Sequence, residues 1–579
     1  TDTEGGLRHY ICADCGDEYS YETDPMVYTE NPKTGEPVDT SVAVHTENGT
    51  LANPILPEWE HIPDGEPQVF WSKEDKEWRV YIYGSHDVDG TTYCGPNYEL
   101  WSAPVYDLSD WRDEGTILDI TETNLFEAMN LFAPDCAYDL QSDTYYLVSN
   151  EFNSTSVLRS AANPAGPFDE TSALWAITVK ACYDPSIYIE NGTIYIAGSC
   201  MKQYWNEVPG ISEIVNADGY ASGMSHIGVI YQLKDSIAKG EGDTEGDGVE
   251  AVTWLPTDEK DYLPIFEGPS LVGYVEEAGA YLYLCVEQDR GSDGTEYNST
   301  IGYLWTDNIM NGTWHYGNNG VEETYGESEG VISGNHGNVI SDTSGRYVKN
   351  AESGEMEFVD FPTYVYANNH GSIAKVNGNW YFFGHRHTNA HTYSRQAIAG
   401  KITVGTENDA PLVTPMEFTS SGIADSMNAF ENWDASVTTY ILEAADHQAP
   451  ALEKNPHKDC VENTAYVFSE REKEVDPVSY VTNIKEGTVI GYKYLNFGEE
   501  ESSVTANLVV SKGEGSVDLY LDAPTEENGG TKLGTVTLSG DQDWNEVSEV
   551  MEQTLSGIHG VYYVFHGSDL QFRSFGFTK

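Results

Sequence analysis

The sequence predicts an all-β protein, a five-bladed β-propeller followed by a β-sandwich of the jelly-roll type, on three observations. A hairpin-like unit recurs five times, opening at Asp64-Gly-Glu-Pro, Pro134-Asp135-Cys-Ala, Asp184-Pro-Ser-Ile, Glu267-Gly-Pro-Ser and Asn369-His370-Gly-Ser. Each unit runs through a turn-prone stretch, such as Asn191-Gly192 or Asn377-Gly378, into a second strand rich in β-branched and aromatic residues. From about Tyr440 a separate series of short, alternating strands follows.

Residues 1–50 are polar and turn-rich, with Asn31-Pro32 and Gly35-Glu36-Pro37, and read as an N-terminal extension packed onto a body. Residues 51–425 carry the five units, and two long segments interrupt them. The first, near Ser236 to Asp261, is dominated by Gly, Glu and Asp and reads as a solvated loop, with a calcium-binding loop as the alternative. The second, Thr313 to Tyr364, is Gly- and Asn-rich and is expected on the rim of a pocket. Residues 440–579 contain Gly491-Tyr-Lys-Tyr-Leu-Asn-Phe, Thr505-Ala-Asn-Leu-Val-Val, Ser516-Val-Asp-Leu-Tyr-Leu and Gly560-Val-Tyr-Tyr-Val-Phe. Their alternation is that of half-buried antiparallel strands, hence the sandwich.

With 29 basic against 95 acidic residues the formal charge is −66, which repels nucleic-acid phosphates and anionic membranes. A neutral ligand is the easier partner. The 39 tyrosines and 13 tryptophans set the chain apart from a disordered acidic tail and supply rings of the kind that stack on sugars. No apolar run is long enough for a membrane-spanning helix. The chain opens at Thr1 without a methionine or an apolar leader; a processed, secreted product is expected, and a trimmed chain fits equally. Eight scattered cysteines make no disulfide framework. If Asn191-Gly192 is a two-residue turn, Cys182 and Cys200 fall nearly opposite each other, in reach of a cross-strand disulfide. Cys12-Ala-Asp-Cys15 looks like half of a rubredoxin-type or zinc-ribbon knuckle, but no second close pair follows, so a local disulfide or thiols is the better reading.

Five sheets around an axis, each with its first strand innermost, would bring the residues at the strand openings to one point. Glycosidic bonds are cut by two carboxyl groups, one protonated to assist the leaving oxygen and one ionised to activate water or attack carbon. A third carboxylate, such as Asp184 near Glu267, would disfavour ionisation of Glu267 and keep it an acid at neutral pH. A lone Asp before a strand is more often a turn former. Recurrence in structural register shifts the balance towards chemistry.

The motifs Asn53-Pro-Ile-Leu56, Ile62-Pro-Asp-Gly-Glu-Pro67, Tyr83-Gly-Ser-His-Asp87, Trp101-Ser-Ala-Pro104, Phe132-Ala-Pro-Asp135, Tyr183-Asp-Pro-Ser-Ile187, Phe266-Glu-Gly-Pro-Ser270 and Asn369-His-Gly-Ser-Ile373 together resemble glycoside hydrolase family 43, five-bladed propeller enzymes acting on arabinose- and xylose-containing polysaccharides. The resemblance implies that Asp64 is the general base, Asp184 the carboxylate that tunes the acid and orients substrate, and Glu267 the general acid of an inverting reaction. Asp135 is the rival for the tuning role and is otherwise expected against substrate. His370 resembles the family histidine on the propeller axis, which helps hold a calcium or other ion through water; the chemistry itself requires no cofactor. Arg386 is expected to donate paired hydrogen bonds to sugar hydroxyls or to fix a carboxylate. His86, Trp101 and Phe132 are expected as pocket walls or blade core, and Glu66 as a partner behind Asp64.

The C-terminal region resembles family 6 carbohydrate-binding modules through Gly491-Tyr-Lys-Tyr-Leu-Asn-Phe497 and Gly560-Val-Tyr-Tyr-Val-Phe-His-Gly567. Tyr492 could supply one side of a sugar clamp, Trp544 is expected in the core, and Gln571 stands near an expected asparagine. The implied activity is an exo-acting glycosidase on plant cell-wall polysaccharide or oligosaccharide, with α-L-arabinofuranosidase ahead of β-xylosidase and β-galactofuranosidase. A catalytically silent sugar-binding propeller and an adhesion protein are the non-enzyme alternatives.

Overall fold

Strands of five to eleven residues dominate, as the β-branched and aromatic composition of the repeated units requires. The computed structural model describes residues 4–11, 18–88, 93–121, 130–152, 155–168, 182–201, 226–233, 248–255, 265–290, 296–317, 341–342, 346–349, 356–359, 369–389, 394–442, 465–469, 478–511, 513–538 and 544–579. The Cys12/Cys15 pair, most of the acidic segment after Ser236 and most of the Gly/Asn-rich segment after Thr313 lie outside the described residues.

Five antiparallel sheets follow one another, and each is made of strands consecutive in the chain. Their first strands are Glu66–Ser72, Phe132–Asp139, Tyr183–Glu190, Ile265–Val275 and Ser372–Val376. Each first strand neighbours that of the next sheet, and the fifth neighbours the first, which makes them the inner lining of a ring. Separate apolar clusters fill the wedges between sheets. Phe70, Tyr83 and Leu147 join blades one and two, and Val148, Ile187 and Val229 join two and three. Ile230 and Tyr283 join blades three and four, and Leu284 and Phe382 join four and five.

No strand is shared between the fifth and first sheets among the described residues. Instead, the segment before the first sheet runs beside the outer strand of the fifth, Arg395–Ile402. Ile55 N donates to Ala397 O, while the Asn53 amide donates to Ala399 O and accepts from Ala399 N.

The sandwich pairs one sheet containing Val489–Asn496, Ile558–His566 and Gly515–Leu521 with another containing Ser479–Ile484, Leu570–Thr578 and Ser502–Ser511. Its core of Leu495, Phe565, Phe572 and Phe575 is continuous with apolar residues of blades one and five, including Val80 and Phe383. A continuous apolar core makes the two parts one packed body rather than beads on a linker.

Candidate active site

The inner strands are irregular where they begin. Ladder register shifts at Phe132/Asp135, Tyr183/Ser186 and Glu267/Ser270, each step spanning an X-Pro pair in which proline has no N–H to give the ladder. Asp64 and Asp184 have φ of +61° and +43°, and Gly268, next to Glu267, has +59°. Left-handed backbone is costly for a residue with a Cβ, although Asp tolerates it better than most, and such conformations concentrate at functional sites. At Gly268 a Cβ would stand 3.0 Å from the His370 ring, so glycine lets blade four approach blade five closely.

Asp64, Asp184, Glu267 and His370 are brought together. Asp184 Oδ2 accepts from Gly268 N at 3.4 Å, and His370 Nδ1 lies 3.8 Å from Asp64 Oδ1. Asp64 is buried and well provided with donors: Ser85 Oγ donates to Oδ2 at 2.7 Å and Arg395 Nη1 donates to Oδ1 at 2.9 Å. Its backbone N–H donates to His385 Nδ1 at 3.2 Å, which makes that nitrogen an acceptor. Burial opposes its ionisation, but Arg395 foremost, with His370 and the Ser85 hydroxyl, outweighs burial and holds its carboxyl down at about 2. Glu267 is driven the other way. Burial first, then the charges of Asp184 and Asp64, push it well above the usual carboxylate range despite Arg395. Asp184 is raised by burial, with His370 opposing. One carboxylate therefore stays charged where another stays protonated, the arrangement that acid–base cleavage of a glycosidic bond needs.

Arg395 is a residue that sequence reasoning missed. Its Nε and Nη2 fork onto Asp87 at 2.9 Å each, its backbone N donates to Asp87 Oδ2, and its guanidinium lies 4.2 Å from the Tyr93 ring centroid. The signal in the sequence was faint: an arginine opening the last strand of blade five, in a motif that no other blade repeats. Arg386 is not brought to the cluster. It sits one residue past His385, and alternation turns it to the opposite face, where it donates to Gln396 Oε1 and Thr438 O and holds blade five to the segment leading into the sandwich.

Asp135 does not join the cluster of Asp64, Asp184 and Glu267. Its oxygens accept from Gln68 Nε2, Cys136 N, Ser186 Oγ and Ile187 N at 2.7–2.9 Å, tying blades one, two and three together deeper along the axis. Burial still raises it to about 6 against those four donors. Glu66 lies in this same layer, accepting from Ser270 Oγ at 3.0 Å, and is pushed well above its usual range by burial and by Asp135. Trp101 is core, 4% exposed, with Nε1 donating to Glu60 Oε2; His86 Nε2 lies 3.4 Å from the other oxygen of Glu60. Phe132 is half-buried beside Tyr93, the ring on which Arg395 rests.

The resemblance also implied a calcium ion near His370. His370 Nε2 is buried without a hydrogen-bond partner, but among the described residues no group of three or more His, Cys, Asp or Glu side chains is arranged to hold a metal. Calcium takes six to eight oxygens, and an ion held through water, as the resemblance implied, would draw most of them from water rather than from these side chains.

In the sandwich, Tyr492 is fully buried and donates to Ala435 O, so it is no sugar clamp. Trp544, expected in the core, is instead half-buried against Tyr480 and Arg573. Gln571 is engaged by Ser511 and Thr482. The register of 183 with 199 leaves Cys182 and Cys200 opposite each other as expected, but they are buried thiols not joined in a disulfide, and Cys182 Sγ faces Ala197 O.

The family model of glycosyl hydrolases family 43 matches residues 53–355, more than half of the chain. The chain belongs to glycoside hydrolase family 43. Accordingly, this family 43 protein is a glycoside hydrolase, and the model of the family 6 carbohydrate-binding module matches residues 463–579. A "Xylosidase/arabinosidase" of Thermoclostridium stercorarium is 26% identical over 550 residues, 89% of this chain and 96% of that one. Among solved structures, an arabinoxylan arabinofuranohydrolase of family 43 from Bacillus subtilis is 17% identical, covering 94% of this chain and 100% of that one at a TM-score of 0.43. An α-L-arabinofuranosidase from Clostridium thermocellum is likewise 17% identical, covering 62% of this chain and 95% of that one at a TM-score of 0.37.

Proposed function

We propose that this glycoside hydrolase is a secreted, inverting, exo-acting enzyme that removes α-L-arabinofuranosyl groups from plant polysaccharide or oligosaccharide. The observation that carries the reading is the opposed ionisation of Asp64 and Glu267 beside Asp184. Asp64 takes a proton from water as that water attacks the anomeric carbon, and Glu267 gives its proton to the departing glycosidic oxygen. The bond from carbon to the leaving oxygen breaks as the bond from carbon to water forms on the opposite face. Asp184 keeps Glu267 protonated through its charge. Inversion requires the base and acid carboxyls to stand roughly 6.5–9.5 Å apart, leaving room for the water.

The choice of sugar is supported by the name of the Thermoclostridium relative, which spans both xylosidase and arabinosidase. Turnover on a panel of nitrophenyl pentosides and hexosides, furanose forms included, tests it. Highest kcat/KM is expected on the α-L-arabinofuranoside, with proton NMR of the first product showing the inverted anomer. Faster turnover of the β-xylopyranoside would replace the sugar assignment, and a retained anomer would overturn the roles given to Asp64 and Glu267.

A further inference from the structure

We infer that Ser469, on the edge strand of the C-terminal sandwich, is a positioning residue for the proposed base Asp64, so that the carbohydrate-binding module completes the catalytic site. The inference rests on the reading of Asp64 given above.

The strand Tyr466–Ser469 ends against the mouth of the propeller. There Ser469 Oγ lies 3.1 Å from His61 Nε2 and 3.0 Å from Thr388 Oγ1, and Ser469 N and O bracket the Asn389 amide at 3.0 Å each. Two routes run from this residue to Asp64. On the first, Thr388 N and Oγ1 both donate to Ser394 O, and Asn389 Nδ2 donates to Ser394 Oγ at 3.1 Å. The next residue is Arg395, whose Nη1 holds Asp64. On the second, His61 O accepts from Asp87 N at 3.0 Å, and the Asp87 carboxylate grips the rest of the Arg395 guanidinium. Ser469, His61, Thr388, Ser394 and Arg395 are all at most 2% exposed.

Proton counting gives the hydroxyl a distinct job. The Thr388 hydroxyl proton goes to Ser394 O, so Ser469 Oγ–H donates to Thr388 Oγ1 and accepts from His61 Nε2–H. Alanine at 469 would remove the hydroxyl that contacts both His61 Nε2 and Thr388 Oγ1, loosening both routes at once. A displacement of about 1 Å at a reacting group can slow catalysis about 100-fold.

The test uses the full chain. Ser469→Ala is expected to lower kcat about ten-fold with KM little changed, and to move the acidic limb of the kcat/KM profile to higher pH as Arg395 loosens its hold on Asp64. Ser469→Thr, which keeps a hydroxyl, is expected to recover the limb. Should Ser469→Ala fail to fold, Asn389→Ala reads the first route, through Ser394 to Arg395. Tyr494→Phe is the control, because it cuts a different contact with the sandwich, Tyr494 OH to Glu417 Oε1 at 2.8 Å. An unchanged kcat and acidic limb in Ser469→Ala, or an equal shift in Tyr494→Phe, would overturn the inference. Activity retained in Asp64→Asn would instead overturn the reading of the base beneath it.

Discussion

Arg395 Nη1 lies 2.9 Å from Asp64 Oδ1 although 331 positions of chain separate the two residues. The pair joins the first blade to the last at the point where the ring comes round. It is shared with Asp87, so one guanidinium fixes two buried carboxylates on the first blade. Buried ion pairs add little net stability, but they fix geometry, and removing one partner leaves an uncompensated charge.

Replacing that guanidinium has two separable consequences. Arg395→Met is expected to lower stability by about 3–5 kcal/mol, the usual cost of orphaning a buried charge. In whatever fraction folds, the Asp64 carboxyl titrates at higher pH than the value of about 2 it has now. Denaturant unfolding checks the first statement and the acidic limb of kcat/KM the second.

Asp64→Asn and Glu267→Gln are each expected to lower kcat by about 10³-fold or more; Glu267→Gln should leave the melting temperature near that of the parent, whereas Asp64→Asn should lower it because Arg395 loses a charged partner. Both changes are close to isosteric, and each removes one of the two required protonation states. A variant with near-parental turnover would cost its residue the assigned role.

On the proposed roles, activity requires Asp64 ionised and Glu267 protonated, so kcat/KM should be bell-shaped. Its acidic limb lies near the Asp64 value of about 2, and its alkaline limb lies above the ordinary carboxylate range. Asp184 raises Glu267, so Asp184→Asn lets Glu267 ionise earlier and moves the alkaline limb to lower pH. A limb that stays put in Asp184→Asn would exclude the tuning role.

The depressed Asp64 carboxyl also links folding to pH. A group whose folded value lies below its unfolded value of about 3.9 contributes stability above that pH, and loses it as pH falls towards about 2. Unfolding free energy measured from pH 5 to pH 2 should fall more steeply in the parent than in Asp64→Asn.

Arg386→Lys separates the two arginines of blade five. Lysine cannot reproduce the fork onto Gln396 together with the bond to Thr438 O, and a loss of about 1–3 kcal/mol is expected with kcat/KM little changed. A large loss of kcat without loss of stability would restore the role that the sequence suggested for Arg386.

The repeating strand-opening motifs determined by themselves that the chain is all-β, that five units share one plan, and that Asp64, Asp184, Glu267 and His370 open four of them. Period-two burial and turn chemistry are local, and a local pattern survives in a one-dimensional string. The tertiary structure alone decided which further side chains reach those four. The sequence suggested Arg386, but strand alternation turns it to the far face, and it is Arg395, at the start of the next strand, that reaches Asp64. Asp135 opens a blade as Asp184 does, yet it falls one layer deeper and becomes a tie between blades. The contact of Ser469 with His61 and Thr388 crosses from one domain to the other, and no periodicity within either could have announced it.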